Sequence, residues 1–136
     1  MRKTELANEE YYHIYNRGVD KRDVYLDSLD YDRFLLSMNL LNDERDGLML
    51  RWRDIKRTNP RVQLLEIQEL NSRENPTVEI VAYCLNPNHY HLILKQLRNN
   101  GIKKFMQKLS TSYTNYFNVK YCRTGSLFQG RYKSIH

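Results

Sequence analysis

Two histidines placed two positions apart are the residues of this chain whose type and spacing could support chemistry. They are His89 and His91, in the run PNHYHL. In a β-strand successive side chains point to opposite faces, so the two imidazoles share one face, about 7 Å apart along the strand. Neutral imidazole is a common metal ligand, and a divalent ion held there could polarise a phosphoryl oxygen. The alternative is a pair of solvated strand histidines, because His-x-His alone is a weak signal.

The strand that carries these histidines is predicted to be half of a hairpin. Residues 78–85 (VEIVAYCL) and 90–95 (YHLILK) have strand composition, and Asn86-Pro87-Asn88 supplies a compact turn between them. We expect the two strands to pair antiparallel, with the histidines at the start of the second. The residues that alternate with the histidines should pack in the core: Tyr90, Leu92 and Leu94.

One strand and one helix are predicted before this hairpin. Residues 10–15 (EYYHIY) are aromatic and β-branched, and the following NRG ends the strand with turn chemistry. Asp27 or Ser28 can then cap a helix that ends near Asn42. Its apolar side chains recur every three or four residues, which predicts one buried stripe: Tyr31, Phe34, Leu35, Met38 and Leu41.

A long helix and a basic segment are predicted after the hairpin. The helix opens at Asn100-Gly101 and carries a continuous apolar stripe: Ile102, Phe105, Met106, Leu109, Tyr113, Tyr116 and Phe117. Residues 122–133 (CRTGSLFQGRYK) are basic, aromatic and punctuated by glycine. That composition suits a loop and short strand laid against phosphates or bases, and a plain edge hairpin is the alternative.

The order of these elements predicts the fold. Strand, helix, strand, strand, helix, strand is the order of a ferredoxin-like α+β sandwich, an antiparallel sheet with two main helices on one face. The histidines should then project from the other face. Residues 43–76 are predicted to form an insertion, with a short helix around Trp52 and a strand from Val62 to Ile67. We expect residues 1–136 to form a single domain.

The charge distribution favours a polyanionic partner such as nucleic acid. Lys and Arg total 22 against 16 acids, a formal net charge of +6. Every Asp and Glu lies at or before Glu79, so the C-terminal part is the cationic part. An ordinary basic surface is the alternative.

Other bulk properties limit the class of protein. No apolar stretch approaches the roughly 20 residues that a membrane helix needs, and the N-terminus lacks the apolar core of a signal peptide. We therefore expect a cytoplasmic protein with no membrane partner. Cys84 and Cys122 lie far apart in the sequence, which predicts buried free thiols rather than a zinc or redox motif.

Three segments of the chain resemble the single-tyrosine HUH transposases, particularly their REP-associated branch. They are residues 12–18 (YHIYNRG), 86–92 (NPNHYHL) and 125–134 (GSLFQGRYKS), in that order. The resemblance covers most of the chain apart from the 43–76 insertion, and three ordered motifs are more specific than one. The family pattern is His-hydrophobic-His, and Tyr90 occupies the middle position here.

The resemblance implies metal-dependent cleavage and joining of single-stranded or hairpin DNA. His89 and His91 would hold Mg²⁺ or Mn²⁺ on the scissile phosphate while a tyrosine hydroxyl attacks and forms a phosphotyrosine link. A phenol with a pKa near about 10 is a poor nucleophile at neutral pH, and a bound cation can stabilise the charge that develops on the phosphoryl group. Members of the family commonly act as homodimers. No nucleotide cofactor is implied, because the covalent link conserves the energy of the broken bond.

One departure from the family concerns the nucleophile. In the family it lies on a helix downstream of the position matched by residues 130–134, whereas this sequence ends at His136. Tyr113 and Tyr116 are the candidate substitutes, although both fall on the buried stripe of their helix. The resulting hypothesis is a truncated or degenerate copy that keeps the fold, the histidine pair and DNA affinity and is inactive in cleavage.

The alternative function is a ferredoxin-like module that binds single-stranded nucleic acid without chemistry, and metal dependence separates the two. His13 also falls in a motif, and we expect it to make a structural hydrogen bond within the first strand. The predicted DNA contacts are polar or basic residues of three segments: Asn16, Arg17, Lys103, Lys104, Lys108, Arg123, Gln129, Arg131 and Lys133.

Overall fold

An antiparallel sheet forms one layer of the protein. The computed structural model describes residues 5–67, 70 and 75–136. Within them, the strands are β1 (Tyr11–Arg17), β2 (Val78–Asn86), β3 (His89–Gln96) and β4 (Lys133–Ile135), in the spatial order β2-β3-β1-β4. All the pairings are antiparallel. This order confirms the predicted ferredoxin-like α+β fold.

Helices cover one face of this sheet. The two main helices are α1 (Ser28–Leu40) and α3 (Gly101–Lys120), and a further helix, α2 (Leu48–Thr58), lies between α1 and β2 in the chain. The side chains of α1 and α3 share one hydrophobic core with the alternate residues of β1 and β3. The other side of the sheet, called the open face below, carries no described helix. Among the described residues, no helix is both long and apolar enough to cross a membrane.

Strand alternation divides the sheet into a core face and the open face, as predicted. In β3, Tyr90, Leu92 and Leu94 are buried in the core, and His89 and His91 alternate with them. The predicted β2–β3 hairpin is confirmed, with its register running from Val78 opposite Gln96 to Asn86 opposite His89. Strand β1 continues through Arg17, two residues beyond the predicted end at Tyr15, because Asn16 and Arg17 pair with Tyr90 and His89.

Helix α1 begins and ends through side-chain hydrogen bonds. Asp27 is its N-cap, accepting a bond from the backbone N–H of Asp30 at 3.0 Å, as predicted. The helix ends at Leu40, before the predicted Asn42. The reason is that Asn42 turns away to bind β2, donating to the carbonyl of Val78 at 2.8 Å and accepting from its N–H at 3.0 Å.

Helix α3 buries the predicted stripe: Ile102, Phe105, Met106, Leu109, Tyr113 and Phe117 are buried, and Tyr116 is half-buried. Its first residue, Gly101, packs tightly on the chain before β2. A Cβ atom at Gly101 would lie 2.3 Å from the carbonyl oxygen of Thr77, so any larger residue would force the helix away from the sheet.

Within residues 43–76, apolar side chains of α2 and of the described residues that follow it form a separate hydrophobic cluster against the end of α1. The prediction of a helix around Trp52 is confirmed, and the prediction of a strand from Val62 to Ile67 is wrong. Residues Leu64–Glu66 form a 3-10 turn because the apolar side chains recur every third residue, at Leu64, Ile67 and Leu70, rather than every second. Residues 68, 69 and 71–74 of this segment lie outside the described residues.

The two ends of this segment lie next to each other. The backbone N–H of Glu44 donates to the carbonyl of Asn75 at 2.9 Å, and the guanidinium of Arg98 donates to the Asn75 side chain at 3.1 Å. Together with the Asn42 bonds to Val78, these contacts close the segment at its base.

A buried carboxylate joins the two main helices. Asp30 of α1 is fully buried and accepts hydrogen bonds from Lys120 at 2.8 Å and from Tyr116 at 2.7 Å, both on α3, and from Tyr121 just beyond it. The backbone N–H of Leu26 donates to the same side chain. Burial by itself raises the pKa of Asp30, but these hydrogen bonds outweigh it and lower the pKa to about 2.

Acid should therefore weaken the fold through Asp30. Because the folded pKa is depressed, this carboxylate contributes stability above its unfolded pKa of about 4, and the contribution, roughly 2 kcal/mol, is lost as the pH falls through about 2. Replacing Asp30 by Asn should cost about 3 kcal/mol at neutral pH, since Lys120 loses a buried partner. Urea unfolding across this pH range measures both effects.

The matched control for Asp30 is Asp32→Asn, an exposed acid on the same helix. It should change the free energy of unfolding by no more than about 0.5 kcal/mol. Equal destabilisation by the two substitutions would show that the buried hydrogen bonds of Asp30 do not stabilise the helix pair.

Candidate functional site

The structure brings His89 and His91 together on the open face. Both are half-buried, and their ring centroids lie 5.2 Å apart with the rings nearly perpendicular, at 89°. The hairpin fixes this arrangement because Tyr90 and Leu92, on either side of His91, are held in the core. The two histidines therefore lie on the same face of the sheet, the open face, as the strand alternation predicts.

The separation of the two rings suits a single metal ion. If two imidazoles bind one ion at about 2.1 Å with a bond angle between roughly 90° and 109°, their centroids lie about 4.6 to 5.4 Å apart. The observed 5.2 Å falls within that interval. Two neutral imidazoles form a borderline donor set that accepts Mn²⁺ readily and Mg²⁺ when oxygen ligands complete the shell.

Hydrogen bonds engage one nitrogen of each ring and leave the other, Nε2, available as a metal ligand. Nδ1 of His89 lies 2.7 Å from Oδ1 of Asn88, and Nδ1 of His91 lies 2.8 Å from Nε2 of His13. These contacts engage both Nδ1 atoms, so Nε2 is the atom of each ring that could bind a metal. Burial, and then the neighbouring rings of His13 and His89, lower the pKa of His91, which favours the neutral, ligating form.

The bond made by His13 differs from the prediction. We expected a structural hydrogen bond within the first strand, and that expectation is wrong, because His13 bonds across the sheet to His91 on β3. The register explains the contact: His13 lies opposite Ile93, which puts it diagonally next to His91 on the same face.

Two further open-face residues were missed by the sequence analysis. Tyr15 lies opposite His91 on β1, and its ring centroid lies 5.0 Å from that of His13, with the rings tilted, and 6.0 Å from that of His91. Cys84 lies opposite His91 on β2. Its thiol and that of Cys122 are free but exposed, so the prediction of buried thiols is wrong. The alternation of His13 and Tyr15 within β1 signals a shared face, whereas Cys84 becomes a neighbour of His91 only through the register.

A third protein ligand does not accompany the histidine pair among the described residues. Within residues 5–67, 70 and 75–136, no group of three or more His, Cys, Asp and Glu side chains has the geometry to hold a metal ion. A metal bound by His89 and His91 would need further ligands besides these two imidazoles.

Three of the predicted contact residues lie beside the histidines. Arg17 is paired with His89 in the β1–β3 register, and its guanidinium donates to Oε1 of Gln129. Lys133 of β4 lies opposite Tyr15. Arg17 is thus next to the paired imidazoles, and Lys133 lies one strand further away, on β4. Arg17, with Gln129 bonded to it, and Lys133 are called the cationic border below.

The predicted lysines of α3 lie elsewhere. Lys103 and Lys104 are exposed on the helix side of the sheet, and Lys108 is paired with Asp46 at 3.1 Å. Lys103 and Arg131 both line a cleft of about 650 Å³ between α3 and the segment before β4. The structure does not bring these residues to the histidines, so their contact with a partner stays a prediction.

Asn16 and Arg123 are engaged within the protein. Asn16 is buried and donates to the carbonyl of Gly130 at 3.1 Å, which fastens the segment before β4 to β1. The Arg123 guanidinium donates to Asn118 at 2.7 Å and to the carbonyl of Ser126 at 3.0 Å. Both side chains shape the basic loop.

The candidate tyrosines Tyr113 and Tyr116 lie on the helix side of the sheet. Tyr113 is fully buried, its hydroxyl donates to the carbonyl of Val24, and burial followed by the charge of Asp30 raises its pKa far above the usual value. Tyr116 donates to Asp30 at 2.7 Å, and burial together with that bond raises its pKa to about 12. The sheet separates both hydroxyls from the histidines.

Comparisons with known proteins agree with this architecture. The family model described as "transposase IS200 like" matches residues 57–136, which include both histidines and β2, β3, α3 and β4. A crystal structure of a candidate transposase from Deinococcus radiodurans R1 is similar to the chain with a TM-score of 0.52 at 17% identity, covering 100% of this chain and 85% of that one. That likeness supports the fold.

A second similar structure is a REP-associated tyrosine transposase bound to a REP hairpin. The TM-score is 0.48 at 13% identity, with 99% of this chain covered. This chain spans 59% of the length of that protein. A search of curated proteins by sequence found no significant match.

Proposed function

The chain belongs to the IS200-like transposase family, and on this premise we propose that it binds single-stranded or hairpin DNA across the open face of its sheet. The observation that carries the proposal is the position of the paired imidazoles of His89 and His91, 5.2 Å apart and next to the cationic border. A phosphate bound by Arg17 and Lys133 would thus lie beside two potential metal ligands.

The proposed reaction is cleavage and joining of a DNA strand through a phosphotyrosine intermediate. A divalent cation, Mg²⁺ or Mn²⁺, held by His89 and His91 would stabilise the charge that develops on the phosphoryl group. Arg17 would bind the DNA backbone, with Gln129 holding its guanidinium in place. The half-buried position of the histidines limits the water around them, which strengthens each of these charge interactions.

The attacking hydroxyl is not assigned to Tyr113 or Tyr116. Both hydroxyls are engaged in hydrogen bonds on the helix side of the sheet, and both have raised pKa values, so each is a poorer nucleophile than a free phenol. In this conformation neither can reach a phosphate that lies on the open face.

A second candidate function is a binding module without chemistry. It is favoured by exposed apolar side chains on the open face, Tyr11, Ile93 and Ile135, which could contact unpaired bases. Such a module has no use for a metal ion. Metal dependence therefore separates the two functions.

Loss of either imidazole should weaken metal binding. In titration calorimetry with Mn²⁺, His89→Ala and His91→Ala should each weaken binding by at least about tenfold, because each removes one of two protein ligands. Cys84→Ser, which alters the thiol next to His91, is the control and should bind like the wild type. Unchanged Mn²⁺ affinity in both alanine variants would favour the module without chemistry.

The salt dependence of DNA binding should identify the phosphate contacts. In Arg17→Ala, the slope of log K against log salt for a hairpin-bearing single strand should flatten by about 0.7, the value for one lost phosphate contact. Arg53→Ala removes the same charge from an exposed residue of α2 that lies 4.0 Å from Asp54 and is not a predicted DNA contact, and its slope should stay unchanged. Equal flattening in both variants would show that only net charge matters.

The positions of the candidate tyrosines predict an outcome for covalent chemistry. After incubation with a hairpin-bearing single strand and Mn²⁺, a denaturing gel should show no DNA adduct that depends on Tyr113 or Tyr116. Tyr116→Phe keeps the ring and removes only the hydroxyl, so it is the sharper of the two variants. An adduct that disappears in Tyr116→Phe would show that α3 reorganises to expose that hydroxyl.

A further inference from the structure

We propose that His13 is a positioning residue that accepts a hydrogen bond from Nδ1–H of His91 and thereby keeps Nε2 of His91 free to bind a metal ion. The inference deepens the proposed function and rests on it, because it concerns how His91 becomes a ligand. It gives a role to a residue of β1 that is neither a proposed metal ligand nor a proposed DNA contact.

The geometry between the two rings is that of a direct hydrogen bond. Nε2 of His13 and Nδ1 of His91 are 2.8 Å apart, the ring centroids are 5.0 Å apart, and the planes are inclined by only 27°. Each neutral imidazole carries one N–H and one lone pair. The bond therefore needs one ring to supply its proton and the other to supply its lone pair.

Only one of the two possible proton arrangements suits metal binding. If Nε2–H of His13 donates the hydrogen bond, Nδ1 of His91 accepts it with its lone pair. The proton of His91 then lies on Nε2, where it prevents metal binding. If Nδ1–H of His91 donates, Nε2 of His91 keeps its lone pair. Metal binding at Nε2 thus requires the second arrangement, with the proton of His13 on Nδ1.

His89 shows the same arrangement with a different acceptor. Its Nδ1 lies 2.7 Å from Oδ1 of Asn88, which can accept a hydrogen bond from the ring N–H. Metal-binding histidines usually donate their second N–H to such an acceptor, which fixes both the tautomer and the ring orientation. Asn88 serves His89 from the hairpin turn, and His13 serves His91 from the neighbouring strand.

The contacts of His13 favour a bond to His91 over direct binding of a metal ion. The ring centroid of Tyr15 lies 5.0 Å from that of His13 and 6.0 Å from that of His91, so one aromatic ring packs against both imidazoles. Nε2 of His13 is already engaged with His91. Acting as a third ligand through that atom would break the bond that orients His91.

Two substitutions separate the acceptor of His13 from its ring. His13→Phe keeps an aromatic ring against Tyr15 but has no acceptor. His13→Glu has no ring, but its ionised carboxylate can only accept. In calorimetry with Mn²⁺, His13→Phe should bind about 10- to 100-fold more weakly than the wild type, and His13→Glu at least as tightly as the wild type. Wild-type affinity in His13→Phe, or equal weakening in both variants, would overturn the proposal.

Nuclear magnetic resonance measures the tautomer directly. Two-bond ¹⁵N–¹H correlations at about pH 8, where imidazole is neutral, should show the proton of His91 on Nδ1 in the Mg²⁺-loaded wild type and in His13→Glu. In metal-free His13→Phe, the proton should redistribute towards Nε2. A proton on Nε2 of His91 in the Mg²⁺-loaded wild type would refute the proposed arrangement.

Failure of the proposed function would look different from failure of this inference. If the wild type binds no Mn²⁺ and His89→Ala changes nothing, the proposed function fails and so does the metal-positioning role of His13. If the wild type binds Mn²⁺ through His89 and His91 but His13→Phe binds equally well, only the role of His13 fails. Matching thermal unfolding curves for the variants show that each comparison is made on folded protein.

Discussion

The pairing of β1 with β3 is the constraint on which the rest of the structure depends. Its register, with Ile14 opposite Leu92 and Tyr15 opposite His91, sends the apolar side chains into the core and the imidazoles to the open face. Side chains repeat every second residue, so a slip of one position would bury the histidines and expose the leucines. The burial of Leu92 and Ile14 in the core thus stabilises the position of the candidate metal ligands, although those ligands contribute little to the core themselves.

The helices leave only one face of the sheet for function. Helices α1 and α3 are held together by the buried network around Asp30, and their apolar side chains fill the space against β1 and β3. This occupation explains why the tyrosines of α3 serve structure: Tyr113 and Tyr116 are drawn into the core and into the bonds of Asp30. It also explains why Lys133, on the last strand, lies on the open face while Lys108, on the helix, pairs with Asp46.

The parts of the fold that follow from local periodicity were predictable from the sequence. The alternation of Tyr90 and Leu92 with the histidines gave the hairpin and its open face, and the stripe of α3 gave the long helix. The predicted strand between Val62 and Ile67 is wrong because the apolar residues there repeat every third position. Their packing on α2, rather than local composition, determines the conformation of that segment. The bond of His13 to His91 arises from pairing between strands far apart in the sequence, and the proximity of Cys84 to His91 depends on the exact register of the hairpin. Local patterns carry no information about such a register.

The closed base of residues 43–76 has an evolutionary consequence. Asn42 and Val78 are joined by hydrogen bonds, and so are Glu44 and Asn75, so the chain leaves and returns at nearly one point. Because the two ends already lie next to each other, a segment of different length or sequence could replace this one without moving the sheet. The cost in loop-closure entropy would be small. The histidine hairpin and its register would therefore stay the same in a relative that carries a different segment at this junction.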